Sequence, residues 1–529
     1  MPRHLVAHRN DLNDGDLKAV QAGDFDLVLV ATRGHVHAYP ARCPHAGGPL
    51  AEGLLSGDRL MCPWHHACFA AHTGDLLEPP AQDALTRFEV MAEGDNLYAV
   101  LPDDPPESRV PETTPPDSAD ERVFAVVGAG AAGSAAAEAL RQEGFTGRVV
   151  LITEDAEPPY DRTVLSKEYL GEPSEPALRD RAFYEAHGLE LHLNRTVARV
   201  SPAERSLTFA DGERLRYDAL LLATGSRPVP LDVPRTRLGG IFYLRTLSDA
   251  ERIAGTAADT AGDGGRAVVV GGSFIGMECA ASLRKKGLDV TVVMPGAVPF
   301  AKLLGPEVGG MFRAFHEEQG VTFVTDTKVA EFGGDGRVSS VTLEDGQTLP
   351  ADLVVIGTGV KPALPELVGV APQDDGGVSV DGTLKLEGER GPVYAVGDLA
   401  HFPDPYSGES VRVEHWRVAL QHGRAAARAM LGKSEVFGGV PFFWTKQFGV
   451  SFRYVGHAPG WDECVIDGDL EGRRFLAYYL KENRVAAVFG VGRDPDLCAV
   501  EEAMRLAVTP TAAEVRRGPV DWAARLGTA

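Results

Sequence analysis

The sequence predicts a multidomain chain in which a small metal-binding domain precedes an α/β body built around two nucleotide-binding units. Three observations carry that reading: the length, a stretch holding two Cys-to-His pairs, and a strand, glycine-rich turn and helix that occur in that order twice. At 529 residues the chain exceeds the roughly 250 to 300 residues at which a single core stops growing, so three or four domains are expected. With 44% hydrophobic and 24% charged residues it can bury ordinary cores. A net charge of -23 argues against phosphate backbones and anionic membrane surfaces, so neither nucleic acid nor membrane is an expected partner. The N-terminus MPRHLVAHRN lacks the apolar stretch of a signal peptide. No uninterrupted apolar run of about 18 residues follows, which makes the cytoplasm the expected location. Six cysteines are too few for a disulfide scaffold.

In CPHAGGPLAEGLLSGDRLMCPWHHACF, residues 43–69, Cys43 and His45 are separated by one residue and Cys62 and His65 by two, so a single loop can present each pair. Thiolate and imidazole suit both iron and zinc. Structural zinc usually pairs cysteine with cysteine at CxxC spacing. A CxH loop followed by a CxxH loop is instead the Rieske arrangement, with two cysteines on one iron and two histidines on the other. A Rieske [2Fe-2S] cluster is therefore expected, with zinc as the alternative metal and His66 as the alternative ligand. Cys68 reads as packing.

The strand-like run DLVLVATRGHVHAYP before the first loop resembles the small β domain of Rieske ferredoxins, a resemblance covering residues 3–101. High-potential Rieske proteins carry disulfide cysteines and donating hydroxyls where this chain has Gly48, Trp64, Ala67 and Phe69. With fewer donors to the cluster sulfurs, the resemblance implies the lower part of the range of about -150 to +300 mV. His66 stands where Rieske ferredoxins mostly have glycine, so a left-handed backbone there falls on a histidine.

Residues 102–121, PDDPPESRVPETTPPDSADE, hold six prolines and seven acids against one arginine, the composition of a stiff, solvated linker. At about 3.1 Å per residue it could span about 60 Å, leaving the metal-binding module to dock or swing. Next comes RVFAVVGAGAAGSAAAEALRQEGF, a strand, a GxGxxG turn at Gly128, Gly130 and Gly133, and an alanine-rich helix. Such glycines let backbone approach a pyrophosphate at a helix N-terminus, and Glu154, 21 residues past Gly133, can accept from a ribose hydroxyl. The second unit, AVVVGGSFIGMECAASLRKKGLDVTVVM, turns through Gly271, Gly272, Ser273, Phe274, Ile275 and Gly276. Met294 occupies the place of the acid that selects NAD, and no arginine follows closely for a 2′-phosphate, so NADH is the expected donor and NADPH the alternative.

These two units, with LLATGSRP (221–228), LVVIGTGVKP (353–362) and VYAVGDLA (393–400), make the chain similar to the glutathione-reductase-like flavoproteins with two dinucleotide-binding domains. More narrowly, it resembles ferredoxin, rubredoxin and putidaredoxin reductases and the apoptosis-inducing-factor-like proteins that carry an N-terminal Rieske domain. The resemblance covers nearly the whole chain. It implies an all-β Rieske domain at 1–101, the linker at 102–121, a split α/β FAD domain at 122–245 and 382–436, an α/β NAD(P) domain at 246–381, and an α+β C-terminal domain at 437–529.

The resemblance also assigns residues. FAD would lie on Gly128, Gly130, Ala131 and Gly133, on Ala223, Thr224 and Gly225, and on Arg245, with Val197 at its adenine. Gly397 and Asp398 would meet its sugar chain, and Glu414, His415 and Trp416 its pyrimidine end. PPYDRTVLSK places Arg162 and Lys167 at the isoalloxazine, with Lys167 at N5. GSFIGMECA places Glu278 opposite, where the nicotinamide arrives, with Gly359 nearby and Trp444 approaching the flavin. Lys167 and Glu278 are the expected catalytic residues, acting as an ion pair that orients the nicotinamide.

No cysteine lies between Gly133 and Cys279, which excludes chemistry that passes electrons through a thiol pair. Cys279, alone in a helical pattern, reads as a small buried residue. The expected activity is transfer of electrons from NADH through FAD to the Rieske cluster. A one-electron acceptor (a ferredoxin, a cytochrome or an oxygenase component) would follow, with the protein a monomer or homodimer. The alternative is a redox-sensing binding protein with incidental turnover; a third reading reverses the flow.

Overall fold

The run FDLVLVAT forms strand Phe25–Thr32, and its alternate residues serve two cores. Val28 and Val30 pack with Tyr39, Cys43 and Cys62 under the ligand loops, while Leu27 and Leu29 pack with Phe88 and Leu97 behind. A continuous apolar run is what a strand buried on both faces requires. Around it lie the antiparallel sheet Leu17–Ala22, Phe25–Thr32, His35–Pro40, the sheet of Arg3–His8, Asn96–Val100 and Glu89–Glu93, and the four-stranded sheet Leu54–Ser56, Arg59–Met61, Cys68–Ala70, Leu76–Glu78. The N-terminal domain is therefore all-β. The structure is a computed structural model describing residues 1–262, 264–388, 391–433 and 435–527. Residues 263, 389, 390, 434, 528 and 529, within the last three expected segments, lie outside the described residues.

Two parallel five-stranded sheets form the body. The first runs Leu189–His192, Arg148–Ile152, Val123–Val127, Ala219–Leu222, Val393–Ala395; the second runs Ile241–Tyr243, Leu353–Ile356, Arg266–Val270, Asp289–Val293, Thr322–Val324. The last strand of the first sheet comes from chain that follows the second, so the second unit is inserted into the first. Each glycine fingerprint joins the central strand of its sheet to a helix, Ala131–Gln142 and Phe274–Lys285 respectively. A Cβ on Gly133 would stand 1.8 Å from the Gly128 carbonyl oxygen and one on Gly276 2.3 Å from that of Gly271, so only glycine lets helix and strand close to this distance.

The C-terminal part is an antiparallel sheet of Phe442–Gln447, Val450–Gly456, Arg484–Val491, Arg474–Lys481 and Glu463–Asp469, covered by helix Asp494–Arg505. That is the α+β arrangement expected. Among the described residues no helix is long and apolar enough to cross a membrane.

Of the two courses open to the Pro- and acid-rich stretch, docked or swinging, the structure has the docked one. None of residues 102–121 is buried, as their composition predicts, yet the segment is fastened along its length. Ser108–Arg109 pairs with Ala84–Leu85, the Thr114 N–H donates to the Arg141 carbonyl (2.9 Å), and the Asp117 N–H donates to that of Thr146 (2.8 Å). Prolines remove donors, but the remaining N–H groups still find acceptors. The β domain is docked, with Arg179 bridging to Asp83 (2.7 Å) and Gln421 donating to Glu78 (2.7 Å).

Candidate cluster and cofactor site

The two ligand loops are built alike. The Cys43 N–H donates to the Gly48 carbonyl and the Gly47 N–H back to Cys43; the Cys62 N–H donates to Ala67 and the His66 N–H back to Cys62. Gly47 and His66 occupy equivalent places and both are left-handed, with φ of 75° and 58°. The strained position predicted at His66 is therefore present. Its side chain turns away from the ligands, with Nδ1 2.6 Å from a Glu501 carboxylate oxygen and the ring stacked on Phe442. This arrangement speaks against His66 as the ligand.

His45 Nδ1 and His65 Nδ1 approach to 3.1 Å, and the thiols of Cys43 and Cys62 are close neighbours. Among the described residues no three such donors surround one ion position. The four fall instead as a thiol pair and an imidazole pair, the donor set that a two-iron cluster divides between its irons. Burial holds the His65 imidazole well below its usual range, in the neutral form that ligates metal. A Cβ on Gly48 would lie 2.7 Å from the Cys62 sulfur, so glycine there leaves room around that thiol. Cys68 is buried on strand Cys68–Ala70, and burial pushes its thiol up to about 12, as fits packing.

A cavity of about 1250 Å³ runs between the two parallel sheets and the C-terminal sheet. At one end Gly128, Gly130 and Ala131 of the first fingerprint line it with Glu154, Val197, Ala223, Thr224 and Gly225. Glu154 sits at the rim in an ion pair with Arg227 (2.9 Å). Gly133, Gly271, Gly272 and Gly276 are absent from the wall and serve the turns; Gly272 accommodates the Met294 thioether, which would be 2.9 Å from an added Cβ. Midway, Asp398, which follows Gly397, accepts from Ser226 Oγ (2.6 Å) and Arg245 Nη2 (3.2 Å). Glu414 is held by Arg412 at 2.6 Å. His415 is held neutral by burial, its pKa pulled down to about 3, and its buried Nδ1 has no hydrogen-bond partner among the described residues. Trp416 and Gly359 complete this region.

At the far end Lys167 Nζ and Glu278 lie 3.1 Å apart, joining the two residues expected to act together. Ser273, Phe274 and Ile275 lie beside Glu278 on the wall, and Arg162 is paired with Asp155 at 2.5 Å. The Glu278 carboxylate also accepts from Ser166 Oγ and from Thr445 Oγ1 (2.6 Å), while Gln447 donates to Thr445 Oγ1 (3.0 Å). Ser166, Thr445 and Gln447 were not singled out from the sequence; Ser166 adjoins Lys167 in PPYDRTVLSK, but nothing in the spacing points to the strand residues. Cys279 is fully buried, and burial raises its thiol well above the ordinary range, consistent with packing.

Trp444 joins the two halves of the site. It lines the cavity, and its ring lies 4.5 Å from that of His65 and 5.9 Å from that of His45, centroid to centroid. A dinucleotide-sized channel with two glycine-turn helix ends fits FAD and a nicotinamide nucleotide. The thiol and imidazole pairs fit a cluster at its edge.

This fold and site define a flavoprotein oxidoreductase fused to an iron-sulfur domain, and comparison with known proteins agrees. Residues 3–89 match the Rieske [2Fe-2S] domain, which overturns the zinc alternative, and residues 442–523 match the reductase C-terminal domain. The chain belongs to the pyridine nucleotide-disulphide oxidoreductase family, whose model matches residues 123–423. It is a ferredoxin-reductase-like, NAD(P)H-dependent flavoprotein with FAD and a Rieske cluster. It is 37% identical to apoptosis-inducing factor 3 of Homo sapiens over 94% of this chain and 83% of that one. To rhodocoxin reductase of Rhodococcus erythropolis it is 34% identical over 73% and 90%. The putidaredoxin reductase–putidaredoxin complex superposes with a TM-score of 0.72 at 30% identity, covering 78% of this chain and 99% of that one.

Proposed function

We propose that the protein takes the hydride of NADH at the Lys167–Glu278 end of the cavity and passes its two electrons, one at a time, past Trp444 to the cluster of the same chain. An external one-electron carrier then receives them. The indole that touches both the cavity and His65 carries this reading. When bound, FAD accepts the hydride and the cluster accepts single electrons. Lys167 neutralises Glu278, and Ser166 and Thr445 fix the carboxylate, so the pair orients an incoming nicotinamide. Arg245 and Ser226 aim Asp398 at the middle of the channel. Neutral His415 offers a hydrogen-bonding nitrogen without a charge.

Buried Met294 on Gly272 brings neither an acid nor a cation to the adenosine side, which supports NADH as donor. The ferredoxin-reductase names among the relatives support a ferredoxin as acceptor over a cytochrome or oxygenase component, and -23 favours a carrier with a basic docking face. The free cysteines among the described residues support a reducing compartment, the cytoplasm. The likeness to apoptosis-inducing factor 3 supports the second reading, a redox sensor.

Replacing Cys62 with serine separates the two. Electron delivery predicts retained FAD and an acceptor reduction that falls at least tenfold relative to flavin bleaching by NADH. A variant that loses its cluster and still reduces the acceptor at wild-type speed favours the sensor.

A further inference from the structure

The backbone carbonyls of Trp64 and His66, the residues before and after His65, are gripped from the reductase body. Arg453 Nε donates to the Trp64 carbonyl at 2.7 Å, and Arg417 Nη2 donates to the His66 carbonyl at 3.1 Å. Arg417 is fully buried. It also donates to the Pro79 carbonyl (2.8 Å) and pairs with Glu501 (2.8 Å), whose other oxygen meets His66 Nδ1. Arg453, 4% exposed, pairs with Asp494 at 2.6 Å.

The two arginines come from different elements. Arg417 opens helix Trp416–Met430, next to Trp416 on the cavity wall. Arg453 lies on strand Val450–Gly456, directly across from Trp444. One strand pair thus meets His65 twice, by indole on its ring and by guanidinium on the preceding carbonyl.

Resting on the electron-delivery reading above, we infer that Arg417 and Arg453 are positioning residues that keep the cluster loop seated against Trp444 throughout turnover. Lifting the loop would leave the Arg417–Glu501 and Arg453–Asp494 ion pairs in place but take the Trp64, His66 and Pro79 carbonyls from two buried guanidinium groups and His66 from Glu501, and hydrogen bonds to ionised groups are the strong ones. Transfer to the cluster then needs no docking step. The face at Trp444 is permanently covered, so a free carrier receives electrons from the Rieske domain and not from the cavity. For each NADH consumed, two electrons and one proton enter the protein with the hydride, and two molecules of a one-electron acceptor are reduced.

The test uses full-length holoprotein in wild-type form, in the double variant Arg417→Met with Glu501→Gln, which leaves the interior charge balanced, and as Arg453→Lys. Amide hydrogen exchange across residues 62–67 is measured with the delay between flavin bleaching and appearance of the reduced-cluster EPR signal, in buffers of increasing glycerol viscosity. In wild type the delay is independent of viscosity. In the variants exchange rises at least tenfold, and the delay lengthens and grows with viscosity. Variants with wild-type exchange and a viscosity-independent delay overturn the inference, as does a viscosity-dependent delay in wild type. If the double variant fails to fold, Arg453→Lys alone decides. If the wild-type cluster is never reduced, the electron-delivery reading fails, while exchange still reports on the clamp.

Discussion

Replacing Thr445 with valine removes, at nearly constant shape, the hydrogen bond that Oγ1 donates to Glu278 together with the one it accepts from Gln447. Thr445 Oγ1 donates to Glu278 Oε1 at 2.6 Å, while Oε2 is served by Ser166 and Lys167. A hydrogen bond to a charged group contributes about 1.5 to 3 kcal/mol, which corresponds to about 10- to 100-fold if all of it is felt in the transition state. Because Lys167 and Ser166 still hold the other oxygen, the lower end applies, a roughly tenfold slowing of hydride transfer. The assay is anaerobic stopped-flow reduction of the flavin by NADH at saturating concentration. Thr445→Ser, which keeps the hydroxyl, restores the rate to within about twofold, well short of the tenfold that 1.4 kcal/mol represents. A valine variant reduced at the wild-type rate, or a serine variant as slow as valine, would exclude this role for the Thr445 hydroxyl.

Two further outcomes follow from geometry and burial. Gly133→Ala places a Cβ 1.8 Å from the Gly128 carbonyl oxygen, so the turn itself must move; overpacking of about 1 to 3 kcal/mol and a lowered FAD content on purification are expected, checked by thermal denaturation and flavin absorbance. His316, fully buried against Gln447, has its pKa pulled by burial from 6.5 to about 4. The unfolded chain therefore binds the extra proton between those values, and stability falls as pH drops through 6.5 and is lost in full below about 4. The shift corresponds to roughly 3 kcal/mol, and His316→Gln flattens that part of the pH dependence of the denaturation midpoint.

The pairing of Cys43 with His45 and of Cys62 with His65 and the glycine turns were legible because their chemistry is written in short spacings, a few residues within one loop. The left-handed backbone at His66 was legible from the resemblance to Rieske ferredoxins, which mostly have glycine at that place. The clamp was not. His66 and Glu501 are 435 residues apart, Trp64 and Arg453 389, and Pro79 and Arg417 338, and an arginine at the start of a helix carries no local mark of the carbonyl it will meet. Composition described the linker's exposure and left open whether the module docks or swings, because six prolines and seven acids keep a segment out of a core without fixing whether its remaining N–H groups bond to a neighbouring surface. Thr445 was hidden by alternation: on strand Phe442–Gln447 it faces Glu278 while Trp444 faces His65, and the sequence does not say which face meets which neighbour.

Rapid mixing of NADH with the anaerobic holoprotein, quenched by freezing at successive times and followed by EPR, tests most directly whether flavin and cluster form one circuit. The reduced-cluster signal is expected to follow flavin bleaching with a first-order rate that stays constant over a tenfold range of protein concentration. A rate that scales with protein concentration, or a cluster that stays oxidised while the flavin is fully bleached, would contradict a single circuit.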